Sequence, residues 1–262
     1  TSEFEFLTGN SMNFLPSGSI PYQQYILGPT DSLATLLKGY GYETRAFHPG
    51  EQTSWQRNIA YPRLGFDSFK CGEDMDVPQT EEHGYVSDDS DFEQIIWEFE
   101  HKDESTPLFL FNVTIQNHGS YTVEDYPAEV QLTDEPGAYP KAEQYLTLAN
   151  KTDEAFKKLI DYFSAQTEPT ILVMFGDHQP SVEQEFLDKA YGVTQDEMTM
   201  AQYMDKFKVP FIIWANYPLT GDSTKITSLN FFAQYVLRNA GIETSAYGKY
   251  LWNLQKTIPA MT

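Results

Sequence analysis

The chain has 262 residues, enough for one large domain with a sizeable core, and its 40% hydrophobic and 15% aromatic content excludes a disordered segment. Acidic residues outnumber basic ones 38 to 17, giving a formal net charge of −21. No Lys/Arg cluster is present, so the footprint of a nucleic-acid binder is missing. Cys71 is the only cysteine, which excludes an intramolecular disulfide and a Cys-based zinc site.

In chain order, hydrophobic periodicity alternates helices with strands. Asp31 to Lys38 has helical leucine spacing and stops at Gly39 and Gly41. A short strand from Glu43 to Phe47 delivers His48, and Ser54 to Tyr61 reads as a helix carrying Trp55 and Arg57. Residues 72–90 are acidic and turn-rich, which predicts a surface loop. Ser90-Asp-Phe-Glu93 forms a capping box ahead of a stripe of Phe92, Ile95, Ile96 and Phe99. Leu108 to Ile115 is a strand ending in Gln-Asn-His-Gly, and a long helix follows from Lys141 to Ser164.

The run Thr170-Ile-Leu-Val-Met-Phe-Gly-Asp-His-Gln-Pro180 predicts a buried strand ending at Gly176. A second capping box, Ser181-Val-Glu-Gln184, opens the next helix. Val209 to Ala215 is a strand, and Leu229 to Asn239 a helix closed by Gly241. Strands separated by such helices predict an α/β fold, with a mostly parallel central sheet flanked by helices on both faces. One domain over 1–262 is the simplest organisation, with a less regular part after Thr220.

Three of the five histidines share one placement. His48, His118 and His178 each come at, or within a few residues of, the carboxyl end of a predicted strand. Parallel strands would carry them to one edge of the sheet, where ligands of open α/β sheets gather. Asp177 beside His178 supplies a carboxylate and an imidazole for one divalent cation. Trp55 is either a wall for a ligand or core packing, and the Arg57 guanidinium suits a phosphate oxygen. His83, in an acidic loop, and His101, at a helix end, read as solvated.

These residues resemble the extracellular catalytic domain of lipoteichoic acid synthase-like phosphoglycerol transferases, a branch of the alkaline phosphatase/sulfatase superfamily. Glu3-Phe-Glu-Phe-Leu-Thr-Gly-Asn-Ser11 is similar to the helix that follows the family's catalytic threonine. His48 with Trp55-Gln-Arg57 resembles the segment that grips phosphoglycerol, and Gly65-Phe-Asp67 the step after it. Asn117-His118 resembles the turn with the substrate-binding histidine, and Gly176-Asp-His178 the metal-binding turn. Gly50 departs from the pattern, standing where some relatives carry an acidic substrate contact.

The resemblance implies a metal-dependent transfer of phosphoglycerol. The donor would be an anionic glycerophospholipid of the phosphatidylglycerol type, and the acceptor a glycan or polyol phosphate. It assigns one divalent metal, manganese or alternatively zinc or magnesium, to Asp177 and His178. His48, Trp55, Arg57 and His118 bind substrate, and His118 and Arg57 take part in the chemistry. It places the family's nucleophilic threonine about two residues before Thr1, so the chain is expected to be the C-terminal part of a catalytic domain, inactive alone. The parent would be membrane-anchored through a missing N-terminal region, at the extracellular face of the bacterial cell membrane. A sulfatase or phosphodiesterase of the same superfamily is the enzymatic alternative, and a non-catalytic carbohydrate-binding domain the other.

Overall fold

The computed structural model describes residues 2–124, 126–220 and 226–261. The first half contains helices α1 (Ser2–Thr8), α2 (Pro21–Gln24) and α3 (Leu33–Gly39), strand β1 (Glu43–His48), helix α4 (Arg57–Arg63) and strand β2 (Ser68–Cys71). A small hairpin, β3 (Glu81–Glu82) and β4 (Tyr85–Val86), precedes α5 (Asp88–Glu100) and β5 (Leu108–Asn112). The second half contains α6 (Pro140–Ser164), β6 (Ile171–Phe175), α7 (Gln184–Tyr191), α8 (Met200–Asp205), β7 (Phe211–Ala215), α9 (Leu229–Asn239) and α10 (Ala246–Leu254).

The expected parallel sheet is present in the order β2–β1–β5, with Ala46 of β1 opposite Phe69 on one side and Phe111 on the other. Among the described residues, β6 bonds only to β7, and the two run antiparallel from Ile171–Ala215 to Phe175–Phe211. A parallel return needs a crossover helix packed on the sheet. Helices α7 and α8, which lie between these strands, bury no residue, so the connection is not of that kind. One edge of β6 carries no ladder among the described residues, and the strand is half-buried where the sequence predicts full burial.

Both faces of β6 are nevertheless used, which explains its unbroken apolar run. Val173 and Phe175 join the larger core with Leu7, Ala46, Tyr61, Phe111 and Phe232. Leu172 and Met174 turn to a second core built by Phe92 of α5 and Phe156, Leu159 and Phe163 of α6. Phe6 of α1 links the two sheets, its ring 6.0 Å from Phe111 of β5 and 5.0 Å from Phe175 of β6. Helix α9 packs on α1 and buries Phe231, Phe232 and Leu237, while residues 221–225 of the stretch after Thr220 lie outside the described residues.

Local signals shifted where tertiary contacts claimed the capping groups. Helix α5 starts earlier than predicted, capped by Ser87, whose Oγ accepts from Ser90 N. Ser90 lies inside the helix, and its Oγ accepts from Thr80 N. Helix α7 has no side-chain cap, because the Glu183 carboxylate accepts from Lys141 N and Ala142 N at the start of α6. The segment before Arg57 is a short 3-10 turn, with Trp55 and Gln56 in the left-handed region at φ 57° and 59°. Two adjacent bulky residues there are costly by roughly 1–2 kcal/mol each. The kink releases Trp55 to the surface, 49% exposed, and turns Arg57 inward as the first residue of α4.

Candidate active site

Arg57, the predicted phosphate-binding cation, is buried and already has a carboxylate. Its Nη2 donates to Glu3 Oε1 at 2.6 Å and its Nε to Glu3 Oε2 at 3.3 Å. Tyr61 donates its hydroxyl to the same carboxylate at 2.8 Å. Burial works against both charges, but Arg57 outweighs it at Glu3, whose carboxyl is held below its usual range. Burial likewise opposes the Arg57 cation, and the Glu3 carboxylate more than offsets it, so the guanidinium stays charged. Glu3 occupies one fork of the guanidinium, and Nη1 is bonded to no described residue. The sequence motif at Glu3 was legible, but nothing in it pointed to Arg57, 54 positions away.

His48 sits at the end of β1 and is 4% exposed. Its Nδ1 lies 2.7 Å from the Val113 carbonyl, which can only accept, so Nδ1 carries the proton and Nε2 a lone pair. Burial, then the Arg57 cation, pushes the imidazole down to about 4 from an ordinary 6.5. The unfolded chain therefore binds a proton between those values that the folded chain refuses. The resulting stability is complete above pH 6.5 and is lost as pH falls towards 4, on the order of 3 kcal/mol in total. Asp88, whose carboxyl burial pushes up to about 6, shifts in the opposite sense over part of this window. The His48 contribution should thus appear in urea unfolding as a difference between wild type and His48→Gln that shrinks from pH 7 to pH 4. A difference independent of pH would refute it.

His118 is exposed on the turn after β5, and its Nδ1 lies 2.7 Å from the Gly119 carbonyl. Its charge reaches His48, as do those of Arg57 and Glu3, so these groups share one neighbourhood. Tyr85 of the hairpin packs on it edge-on at 5.6 Å. His83 is not solvated as the sequence predicted. The hairpin folds over the β5 turn, half-burying the ring among Tyr85, Tyr121 and Tyr126 and placing Nε2 2.6 Å from the Gln116 carbonyl. His101 is exposed as expected, stacked on Trp97.

Asp177 and His178 follow β6 on an exposed turn. Two links tie this turn to the rest of the site. Ser2 donates its hydroxyl to the Asp177 carbonyl at 2.7 Å, one residue before Glu3. The Asp177 carboxylate, after burial and Tyr145, also raises the Tyr121 hydroxyl towards 12, and Tyr121 bonds the Asn117 carbonyl next to His118. His178 Nδ1 faces the Gln179 carbonyl at 2.9 Å, so a neutral ring carries its lone pair on Nε2, 3.4 Å from Asp177 Oδ2. A carboxylate oxygen and an imidazole nitrogen at that separation could both turn to one cation. Among the described residues no cluster of three or more His, Cys, Asp or Glu side chains completes such a site. The pair therefore fits a divalent metal as part of a ligand set.

All three site histidines thus have Nδ1 at a main-chain carbonyl, and the Nε2 of His178 faces the Asp177 carboxylate. Trp55, although exposed, lies two residues before Arg57 at the kink. Among the described residues no helix is long and apolar enough to cross a membrane.

A sequence profile described as Sulfatase matches residues 1–242. The chain belongs to the Sulfatase family. A putative cyclic beta-1,2-glucan modification protein of Rhizobium meliloti is 35% identical over 260 residues, covering 95% of this sulfatase-family chain and 39% of the relative. The lipoteichoic acid synthase-like YvgJ of Bacillus subtilis is 27% identical, over 81% of this chain and 34% of its own length. The structure of Streptococcus pyogenes phosphoglycerol transferase GacH in complex with sn-glycerol-1-phosphate superposes with a TM-score of 0.79 at 19% identity, covering 97% of this chain and 65% of that one. The chain thus has the fold of that superfamily and spans about two-fifths of the Rhizobium relative.

Proposed function

We propose that this chain carries the substrate-binding part of a phosphoglycerol transferase. In this reading a phosphoglycerol group passes from a phosphatidylglycerol-type lipid to a glycan or polyol-phosphate acceptor at the extracellular face of a bacterial membrane. The observation that carries the reading is the pairing of opposite hydrogen-bonding characters at the end of β1. Arg57 offers a fixed cationic donor, and His48 beside it offers a neutral acceptor. A phosphate oxygen suits the first and a hydroxyl the second, and a glycerol phosphate ester presents both. The chain's net charge of −21 makes such local reception necessary.

In this reading Arg57 orients the phosphoryl group through Nη1, held by Glu3 and Tyr61 so that little side-chain freedom is lost on binding. His118, exposed with Nε2 open, binds a phosphate oxygen or moves the acceptor's hydroxyl proton. Trp55 walls the glycerol. Asp177 and His178 would hold one divalent metal, manganese or alternatively zinc or magnesium, which when bound activates a threonine hydroxyl and neutralises phosphoryl charge. The description of the Rhizobium relative as a modifier of cyclic beta-1,2-glucan favours a glucan as acceptor.

Calorimetry with sn-glycerol 1-phosphate tests the binding half of this reading. The wild-type chain should bind it, and His118→Ala should weaken binding roughly ten- to a hundred-fold, as for a hydrogen bond to a charged group. Absence of binding at about 10 mM ester, near the weak limit of specific recognition, would remove the proposal.

A further inference from the structure

We propose that His83 is a positioning residue. Its Nε2–H, donated to the Gln116 carbonyl, selects the form of the turn that carries His118 and so aims that ring at the ligand. This inference rests on the phosphoglycerol reading above, in which His118 meets a phosphate oxygen or the acceptor's hydroxyl.

His118 N donates to the Ile115 carbonyl at 2.9 Å, so Gln116 and Asn117 are the central residues of a four-residue turn. The two common forms of such a turn share that closing bond and differ in which way the central peptide faces. Asparagine at the third position tolerates both forms, so Asn117 does not choose between them. The carbonyl of the central peptide belongs to Gln116, and His83 Nε2 lies 2.6 Å from it. A carbonyl only accepts, so Nε2 carries the proton and the peptide is held facing the hairpin. Tyr121 and Tyr85 donate to later carbonyls of the same segment, Asn117 at 2.8 Å and Gly119 at 3.3 Å.

This placement costs His83 twice. With Gly84 it forms the two-residue loop between β3 and β4, at a φ of 40°, in the left-handed region that favours glycine. Its Nδ1 is buried with no partner among the described residues. A residue serving only the loop would need no ring, since asparagine suits such a loop better. The hairpin that carries His83 is itself tied to α6, where Lys151 Nζ donates to Glu82 Oε1 at 2.9 Å. The turn is thus clamped from a fixed base.

His83→Asn and His83→Gln separate the loop from the clamp. Asparagine suits the loop but is too short to reach the Gln116 carbonyl, whereas the glutamine amide can place its nitrogen where Nε2 lies. By calorimetry with sn-glycerol 1-phosphate, His83→Asn should bind about tenfold more weakly than the wild type, the worth of one hydrogen bond, and His83→Gln within about twofold of it. In a His118→Ala background His83→Asn should have no further effect, because it acts through His118. Proton–nitrogen NMR of the wild type reads the contact without a variant, since the His83 Nε2 proton should be protected from exchange with water. An unprotected Nε2 proton, wild-type affinity in His83→Asn, an equal loss in His83→Gln, or the same loss with His118 already removed would overturn the role of His83 and leave the phosphoglycerol reading standing. Failure of the wild type to bind the ester would instead overturn that reading, and this one with it.

Discussion

Arg57→Ala should destabilise the fold by about 3–5 kcal/mol in urea unfolding, the range for stripping one partner from a buried ion pair. The magnitude follows from what remains. Glu3 would lose two hydrogen bonds and the Arg57 cation, and keep a carboxylate whose side chain is 16% exposed. Tyr61, fully buried and bonded to that carboxylate, cannot compensate alone. Glu3→Ala should cost a similar amount for the converse reason, since Arg57 is the more buried member. The double variant should then be clearly more stable than the sum of the two losses predicts. Single losses below about 1 kcal/mol, typical of an exposed pair, would mean that Glu3 and Arg57 do not form this buried contact.

The second large effect concerns catalysis. In catalytically active protein, Asp177→Ala should reduce diacylglycerol release from phosphatidylglycerol to background, three or more orders of magnitude, because several kcal/mol of charge stabilisation go with the metal. Mn²⁺ titration by calorimetry should lose its signal in the same variant. Full turnover in Asp177→Ala would place the metal on other residues. Trp55→Ala supplies the contrast, with a change confined mainly to KM, since in its proposed role as an exposed wall it would contribute binding in ground and transition states alike.

Much of this arrangement was readable from residue order. His48, His118 and Asp177-His178 stand near strand ends, and strand ends were visible from apolar runs. The parallel trio β2–β1–β5 and the long helix α6 followed from the same periodicity. What escaped was set by partners distant in sequence. Glu183 resembled part of a capping box but serves the start of α6, and His83 resembled a loop residue but packs among Tyr85 of its own hairpin and Tyr121 and Tyr126 from the stretch after β5. The left-handed pair Trp55-Gln56 escaped for another reason, because neither residue type favours that conformation and contacts distant in sequence, the Arg57–Glu3 pair among them, accompany it. The Nε2 lone pairs were equally invisible, since each is defined by which carbonyl its ring's other nitrogen meets.

Helix α1 has a bearing on how the site behaves under perturbation. Within seven residues it contacts the Asp177 turn through Ser2, fixes Arg57 through Glu3 and inserts Phe6 between the two sheets. The edge proposed to hold a metal and the edge proposed to receive phosphate are therefore gauged from one rod. A tilt of that rod misaligns both at once, so substitutions that look local to either edge should produce correlated losses in ligand affinity and metal affinity.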